Sequence, residues 1–215
     1  MIHELTRQPS ALAEILGQLR DEQVQKDSLR FRFNLERVGE IIAYEISKTL
    51  TYSVREINTP LGVADISELT EQPVLLTILR AGLPFHQGML RVLDKAENAF
   101  VSAYRRHHKG GEFEIDVEYV SAPTLEGKTV IISDPMIATG MSIEMVYKAL
   151  LRKGTPSRLH IASVIATDSG INHLRSKLPE HTTYWTAAID KELTAQAYIV
   201  PGLGDAGDLA FGRKD

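Results

Sequence analysis

Short continuous apolar runs give way to helical spacing and back again several times along this chain, and that repeated change of period leaves few folds open. Residues 128–166 hold the clearest unit. A β-branched run is followed by a small-residue loop, a helix pattern at Ile143, Val146, Tyr147, Leu150 and Leu151, and a second apolar run at 159–166. An apolar run without polar alternation reads as a strand buried on both faces, and a strand, helix, strand succession returns the second strand parallel to the first. Lys153, Gly154 and Pro156 stop the helix. Runs at 74–79, 99–104 and 183–189 extend the alternation, with helix patterns at Phe85, Met89 and Leu93 and at Ile171, Leu174 and Leu178. The expected fold is α/β, a largely parallel sheet flanked by helices.

Three segments stand outside that alternation. Leu12 to Leu19, and then Leu35, Val38, Ile42 and Ile46, carry helix-face spacing, which places N-terminal helices within 10–50. Two strand-like runs around Gly110 and Gly111 predict an antiparallel hairpin arm over about 99–121. Residues 198–208 hold Gly202, Gly204 and Gly207 with Pro201, too much punctuation for a helix or a long strand. At 215 residues, 43% hydrophobic and 24% charged, the chain reads as one globular domain over 1–215.

A net charge of -4 and a pI near 6.0 give no general pull toward nucleic acid, so a polyanionic ligand has to be held locally by arginines and backbone amides. No cysteine is present, which excludes disulfides and thiolate metal sites and suits a reducing compartment. No apolar run approaches the roughly 18–20 residues that cross a bilayer. The expectation is a soluble cytoplasmic protein that binds small molecules, with no membrane and no nucleic-acid partner.

The chemistry concentrates where strands end. After the run at 129–133 come Asp134, Pro135, Met136, Ile137, Ala138, Thr139, Gly140, Met141 and Ser142, an acidic residue and a small-residue loop that opens a helix. Backbone N–H groups at a helix start, the positive end of its dipole and the hydroxyls of Thr139 and Ser142 suit a phosphate, with Gly140 permitting close approach. Asp134 is placed to meet sugar hydroxyls or magnesium. The same residues also read as a strand followed by an ordinary helix, and the segment alone does not decide. Arg80 after another strand reads more commonly, taken alone, as a surface arginine, but Ala81 and Gly82 after it would let backbone amides join its guanidinium around a pyrophosphate. The basic run Arg105, Arg106, His107, His108 and Lys109 lies at the tip of the expected hairpin. Adjacent histidines on a strand face opposite sides, which argues against a metal site there. Arg105 is the candidate to close over pyrophosphate, and residues 106–109 read as surface.

The segment Tyr198-Ile-Val-Pro-Gly-Leu-Gly-Asp-Ala-Gly-Asp208, taken with Ile132-Ser-Asp-Pro-Met-Ile-Ala-Thr-Gly and Ile78-Leu-Arg-Ala-Gly-Leu, resembles the uracil phosphoribosyltransferases, a family of type I phosphoribosyltransferases. Residues 29–32, 38–39 and 44–45 resemble the family's opening helix, so the likeness covers nearly the whole chain.

The resemblance implies transfer of the ribose phosphate of phosphoribosyl pyrophosphate (PRPP) to uracil, giving UMP. It places PRPP on residues 134–142 with Arg80, Arg105 and Asp205, and uracil on Ile199, Gly204, Asp205 and Ala206. Arg80, Arg105, Asp134 and Asp205 form the implied catalytic set. Magnesium is implied as the cofactor that accompanies PRPP, held mostly by substrate oxygens rather than by dedicated protein ligands. A homo-oligomer and GTP binding are implied at the level of the family. No residue is evident as a base for the uracil ring nitrogen. Two positions depart from the family pattern: Met141 replaces the usual glycine, and basic residues 106–109 replace an acidic stretch. The alternatives are a phosphoribosyltransferase for another base, such as a purine, and a regulator that binds PRPP or UMP without turnover.

Overall fold

The computed structural model describes residues 1–107 and 113–213, with side chains described for all of these except 103–107 and 113–117. In chain order the elements are β1 (Ile2–Glu4), α1 (Ala11–Arg20), α2 (Ser28–Ser47), β2 (Tyr52–Thr59), β3 (Gly62–Leu69), β4 (Val74–Leu79) and α3 (Gly82–Val92). There follow β5 (Glu97–His107), β6 (Phe113–Ser121), β7 (Thr129–Ser133), β8 (Met136–Ile137), α4 (Met141–Leu150), β9 (Arg158–Thr167) and α5 (Asp168–Lys177). The chain ends with β10 (Thr183–Asp190), β11 (Glu192–Leu193), β12 (Ile199–Val200) and α6 (Ala206–Phe211).

The main sheet runs β1-β10-β9-β7-β4-β5-β6, with β8 added beside β9. Every pairing in it is parallel except β5 with β6. The period-2 geometry of its strands sorts their side chains into two cores. Leu75, Ile131, Ala162 and Trp185 face α1, α2 and α3, whereas Leu76, Val130, Ile132 and Ile161 face α4 and α5. The expected sheet, covered on both faces, is the one found.

The hairpin arm is also present: residues 100–107 pair with 113–121, and a bulge lies between Ser102 and Ala103. Strand β4 reaches only to Ser102 on β5, so the arm continues beyond the sheet's edge. His108, Lys109, Gly110 and Gly111 lie outside the described residues.

Among the elements that went unread in the sequence, three stretches stand out. β2 and β3 form their own antiparallel pair around Pro60 and Leu61, with Val54, Leu61 and Val63 exposed. β1 joins the sheet edge beside β10, and His3 stacks on Trp185 with ring centroids 3.9 Å apart. The third is a correction: the segment that looked too punctuated for a helix contains the start of α6. Asp205 caps that helix by accepting a hydrogen bond from the Asp208 N–H at 3.0 Å, and Gly212, with φ 86°, closes it.

His160, buried on β9, accepts a hydrogen bond at Nδ1 from Trp185 Nε1 at 3.2 Å. Burial, reinforced by Arg158 and His3, lowers its pKa to about 4. An unfolded chain has this imidazole at its ordinary value of about 6.5, so between the two values the unfolded state binds the extra proton. The contribution of His160 to stability is therefore complete above pH 6.5 and drains away as pH falls toward 4, by about 3 kcal/mol. Urea unfolding across this interval is expected to show a shallower pH slope for His160→Gln than for the parent protein; equal slopes would assign the acid sensitivity to other groups.

Candidate active site

In parallel sheets ligands gather at the carboxyl ends of strands, and register decides which loops meet there. Thr77 of β4 lies opposite Ser133 of β7, and Leu79 of β4 opposite Ser102 of β5. The loops that start at Arg80 and Asp134, and the arm that holds Arg105, consequently leave the same edge. Ser133 Oγ donates to the Leu76 carbonyl at 3.0 Å and ties β7 to β4 just before the acidic residue.

The loop after β7 is fastened along its length. Asp134 N–H donates to the Ala162 carbonyl at 3.1 Å, and the Pro135 carbonyl accepts from Val164 and Ile165, each at 3.0 Å. Residues 136–137 are not loop but the short strand β8, paired with Ile165 and Ala166, and the Ile137 side chain is buried. Thr167 Oγ1 donates to the Ala138 carbonyl at 2.6 Å and accepts from the Gly170 N–H at 2.9 Å, which anchors the turn to the start of α5. What remains partly exposed are Asp134, Met136, Thr139, Met141 and Ser142. A small cleft lined by Asp134, Thr139, Gly140 and Ser142 opens there, at the N-terminus of α4.

Gly140 has a reason beyond approach to a ligand. Its φ of 79° is left-handed, and a Cβ would come within 2.8 Å of the Gly170 carbonyl oxygen. Met141 meets no such demand: among the described residues Ala197 is the non-glycine with positive φ, so the backbone at 141 accepts any side chain. Behind the loop, Glu144 of α4 receives Lys148 and His173 Nε2, each at 2.6 Å. The Lys148 ammonium, opposed by burial and helped by His173, holds the Glu144 carboxyl below its ordinary value.

The segment 198–208 is held by a charged clamp. Asp190, at the end of β10, accepts from Nη1 and Nη2 of Arg20, both at 2.8 Å, and from the Gly202 N–H at 3.0 Å. Arg20 Nη1 also donates to the Gly202 carbonyl at 3.0 Å. Gly202 has φ 60°, and a Cβ there would overlap the Ile199 carbonyl oxygen. Ile199, Leu203 and Ala206 sink into the core, whereas Tyr198 and Val200 are exposed.

Arg80 reaches toward the same segment. Its Nη2 meets Asp208 Oδ1 at 2.8 Å and its Nη1 the Gly212 carbonyl at 3.0 Å. A Cβ on Gly207 would lie 3.2 Å from both Arg80 Nη2 and Asp205 Oδ1, so guanidinium and carboxylate rest against one glycine. The Leu79–Arg80 and Val200–Pro201 peptide bonds are cis.

A sequence family described as uracil phosphoribosyltransferase matches residues 6–213, which include all three loops. The chain belongs to the uracil phosphoribosyltransferase family. The uracil phosphoribosyltransferase of Porphyromonas gingivalis is 53% identical over 214 residues, which cover 100% of this chain and 99% of that one. A solved protein from Aquifex aeolicus superposes with a TM-score of 0.87 at 29% identity, over 99% of this chain and 98% of that one. A hypoxanthine phosphoribosyltransferase from Staphylococcus aureus, 13% identical with 74% of each chain covered, has a TM-score of 0.51 and shares the fold alone. The architecture is that of a type I phosphoribosyltransferase.

Within this member of the uracil phosphoribosyltransferase family, Arg80, Asp205, Ala206 and Gly204 are brought together around the C-terminal segment, and Asp134 through Ser142 lie on the adjoining loop. Arg105 sits in β5 opposite Ile115, with its side chain outside the described residues. Sequence reasoning missed Arg20, Asp190, Thr167 and Asp208. Arg20 and Asp190 are 170 positions apart in the chain, and no periodicity signals such a pair. Asp208 was readable as the partner of an Asp205 cap. Among the described residues no group of three or more His, Asp or Glu side chains is arranged to hold a cation.

Proposed function

We propose that the protein transfers the 5-phosphoribosyl group of PRPP to uracil, forming UMP and pyrophosphate. The observation that carries this reading is the meeting of Arg80 with Asp205 at Gly207, in a chain of the uracil phosphoribosyltransferase family: a pyrophosphate-side cation and a base-side segment share one wall. PRPP is assigned to Asp134, Thr139, Met141 and Ser142 with the backbone of the loop between them, together with Arg80 and Arg105. Uracil is assigned to the backbone around Ile199, Gly204, Asp205 and Ala206.

In the reaction the uracil N1 to anomeric carbon bond forms as the carbon to pyrophosphate oxygen bond breaks, and the N1 proton is released. Positive charge grows on the ribose and negative charge on the leaving group. Arg80 stabilises that developing charge from the wall it shares with Asp205. Magnesium, when bound with PRPP, supplies further positive charge to the pyrophosphate; it keeps waters and takes oxygen ligands, so substrate oxygens with at most an aspartate suffice. A rigid backbone segment reads uracil through fixed N–H and C=O groups, and cytosine is rejected because its amino group faces a donor and leaves both unpaired.

We assign the protein to the cytoplasm as a homo-oligomer; no helix among the described residues is long and apolar enough to cross a membrane, and exposed Val54 on β2, Val63 on β3 and Leu61 in the turn between them offer apolar contact area. GTP is the family-level effector to titrate. The test is UMP formation from uracil and PRPP with and without magnesium, with cytosine and hypoxanthine as competing bases. Magnesium-dependent UMP with little CMP or purine nucleotide supports the assignment, and preference for a purine overturns it.

A further inference from the structure

We propose that Asp208 is a positioning residue for the transfer, aiming Arg80 at pyrophosphate and tying that aim to formation of the uracil-reading segment. The proposal rests on the assignment of Arg80 to the pyrophosphate side of the site.

The geometry is specific to this pair. Asp208 lies in the first turn of α6, where its N–H is already taken by the Asp205 carboxylate at 3.0 Å. Its own carboxylate turns outward and meets Arg80 Nη2 at 2.8 Å. The opposite end of the same short helix supplies the Gly212 carbonyl to Arg80 Nη1 at 3.0 Å, and Gly212 N–H closes the helix on the Asp208 carbonyl at 2.9 Å. The guanidinium therefore spans α6 from its first turn to its closing glycine. Among the described residues Nε of Arg80 is buried without a protein partner, whereas both terminal nitrogens of the guanidinium are committed to the C-terminal helix and its closing glycine. A buried donor left in that condition is costly unless an acceptor reaches it, and binding sites are where such donors persist.

Two further facts argue against a merely stabilising salt bridge. The side chains of Arg80 and Asp208 are each 34% exposed, a setting in which ion pairs contribute little to stability. Gly207 lies between them and Asp205, and any side chain there would press on both the guanidinium and the capping carboxylate. Close approach is thus kept at the point where arginine, cap and base-reading segment meet. An arginine carries several rotatable bonds, and fixing them before the substrate arrives removes an ordering cost from binding and from the transition state. Because Asp208 is held by Asp205, the arginine takes this position only when the cap of α6 is formed.

The experiment is a double-mutant cycle with Arg80→Ala and Asp208→Asn, assayed for PRPP and uracil separately at saturating partner. Asp208→Asn keeps the size of the side chain and removes its charge, and matched circular dichroism and urea midpoints establish that each variant is folded. For Asp208→Asn in the parent background the expected result is a loss in kcat/KM for PRPP of about tenfold, with the KM for uracil changed by less than about threefold. In the Arg80→Ala background the same replacement is expected to have no further effect. An undiminished loss there would show that Asp208 acts independently of Arg80 and overturn the proposal, as would parent-like kinetics for Asp208→Asn alone beside an impaired Arg80→Ala. If Arg80→Ala itself leaves the KM for PRPP and kcat unchanged, the underlying assignment of Arg80 fails instead.

Discussion

Replacing Arg20 with methionine is expected to destabilise the protein by about 3 kcal/mol and to raise the KM for uracil more than that for PRPP. The Asp190 side chain is 8% exposed and that of Arg20 22%, so the variant leaves a carboxylate in a poorly hydrated site with, among the described residues, the Gly202 N–H as its remaining hydrogen-bond donor. Breaking one side of a buried pair costs more than the pair contributes, because the remaining charge has lost its partner. Arg20 is partly exposed, which places the expected effect at the low end of that range. Its selectivity for uracil follows from connectivity. Arg20 and Asp190 together hold both the N–H and the carbonyl of Gly202, the turn that sets the direction of residues 203–206. Urea unfolding and separate substrate titrations check both halves; an unstable variant with unaltered preference for uracil would mean that the turn keeps its shape without the clamp.

How much of this was legible in the sequence depends on the distance over which each feature is determined. The strands at 74–79 and 183–189 and the helices of 10–50 were readable because period and composition are local, and burial on both sheet faces leaves a continuous apolar run. The three loops that begin at Arg80, Asp134 and Tyr198 were readable as loops because glycine, proline and hydroxyl residues mark special backbone positions. β2 and β3 were missed even though Pro60 and Gly62 mark their turn: their outward residues mix Val54 with Glu56 and Val63 with Asp65, so the alternation is weak. β1, three residues long, depends on β10 nearly the whole chain away. The order β9-β7-β4-β5, which carries the loops of Arg80 and Asp134 to one edge, is a tertiary choice that no local pattern encodes. Gly140 illustrates the limit in the other direction. Its presence was readable, but contact with Gly170 in α5 supplies a packing reason that the loop sequence alone does not contain.

The sharpest expected loss of activity falls on Asp205. Asp205→Ala is expected to lower kcat/KM by about 100-fold or more while the folded state survives. Its structural task is modest: one hydrogen bond to the Asp208 N–H caps a helix of six residues, and loss of such a cap costs about 1 kcal/mol. Its position is not modest, since the carboxylate lies beside Gly207 with Arg80 on the same glycine and follows directly on Gly204 of the segment proposed to read uracil. The two tasks separate in Asp205→Asn, because asparagine caps helices about as well as aspartate but carries no charge. If the charge matters to the transfer, Asp205→Asn has the parent's urea midpoint and low activity. If capping is the whole role, Asp205→Asn matches the parent in both, and Asp205 leaves the catalytic set. Parent-like turnover by a folded Asp205→Ala variant would remove it from the site altogether, and the meeting of Arg80 with the C-terminal helix would then need an explanation in stability rather than in catalysis.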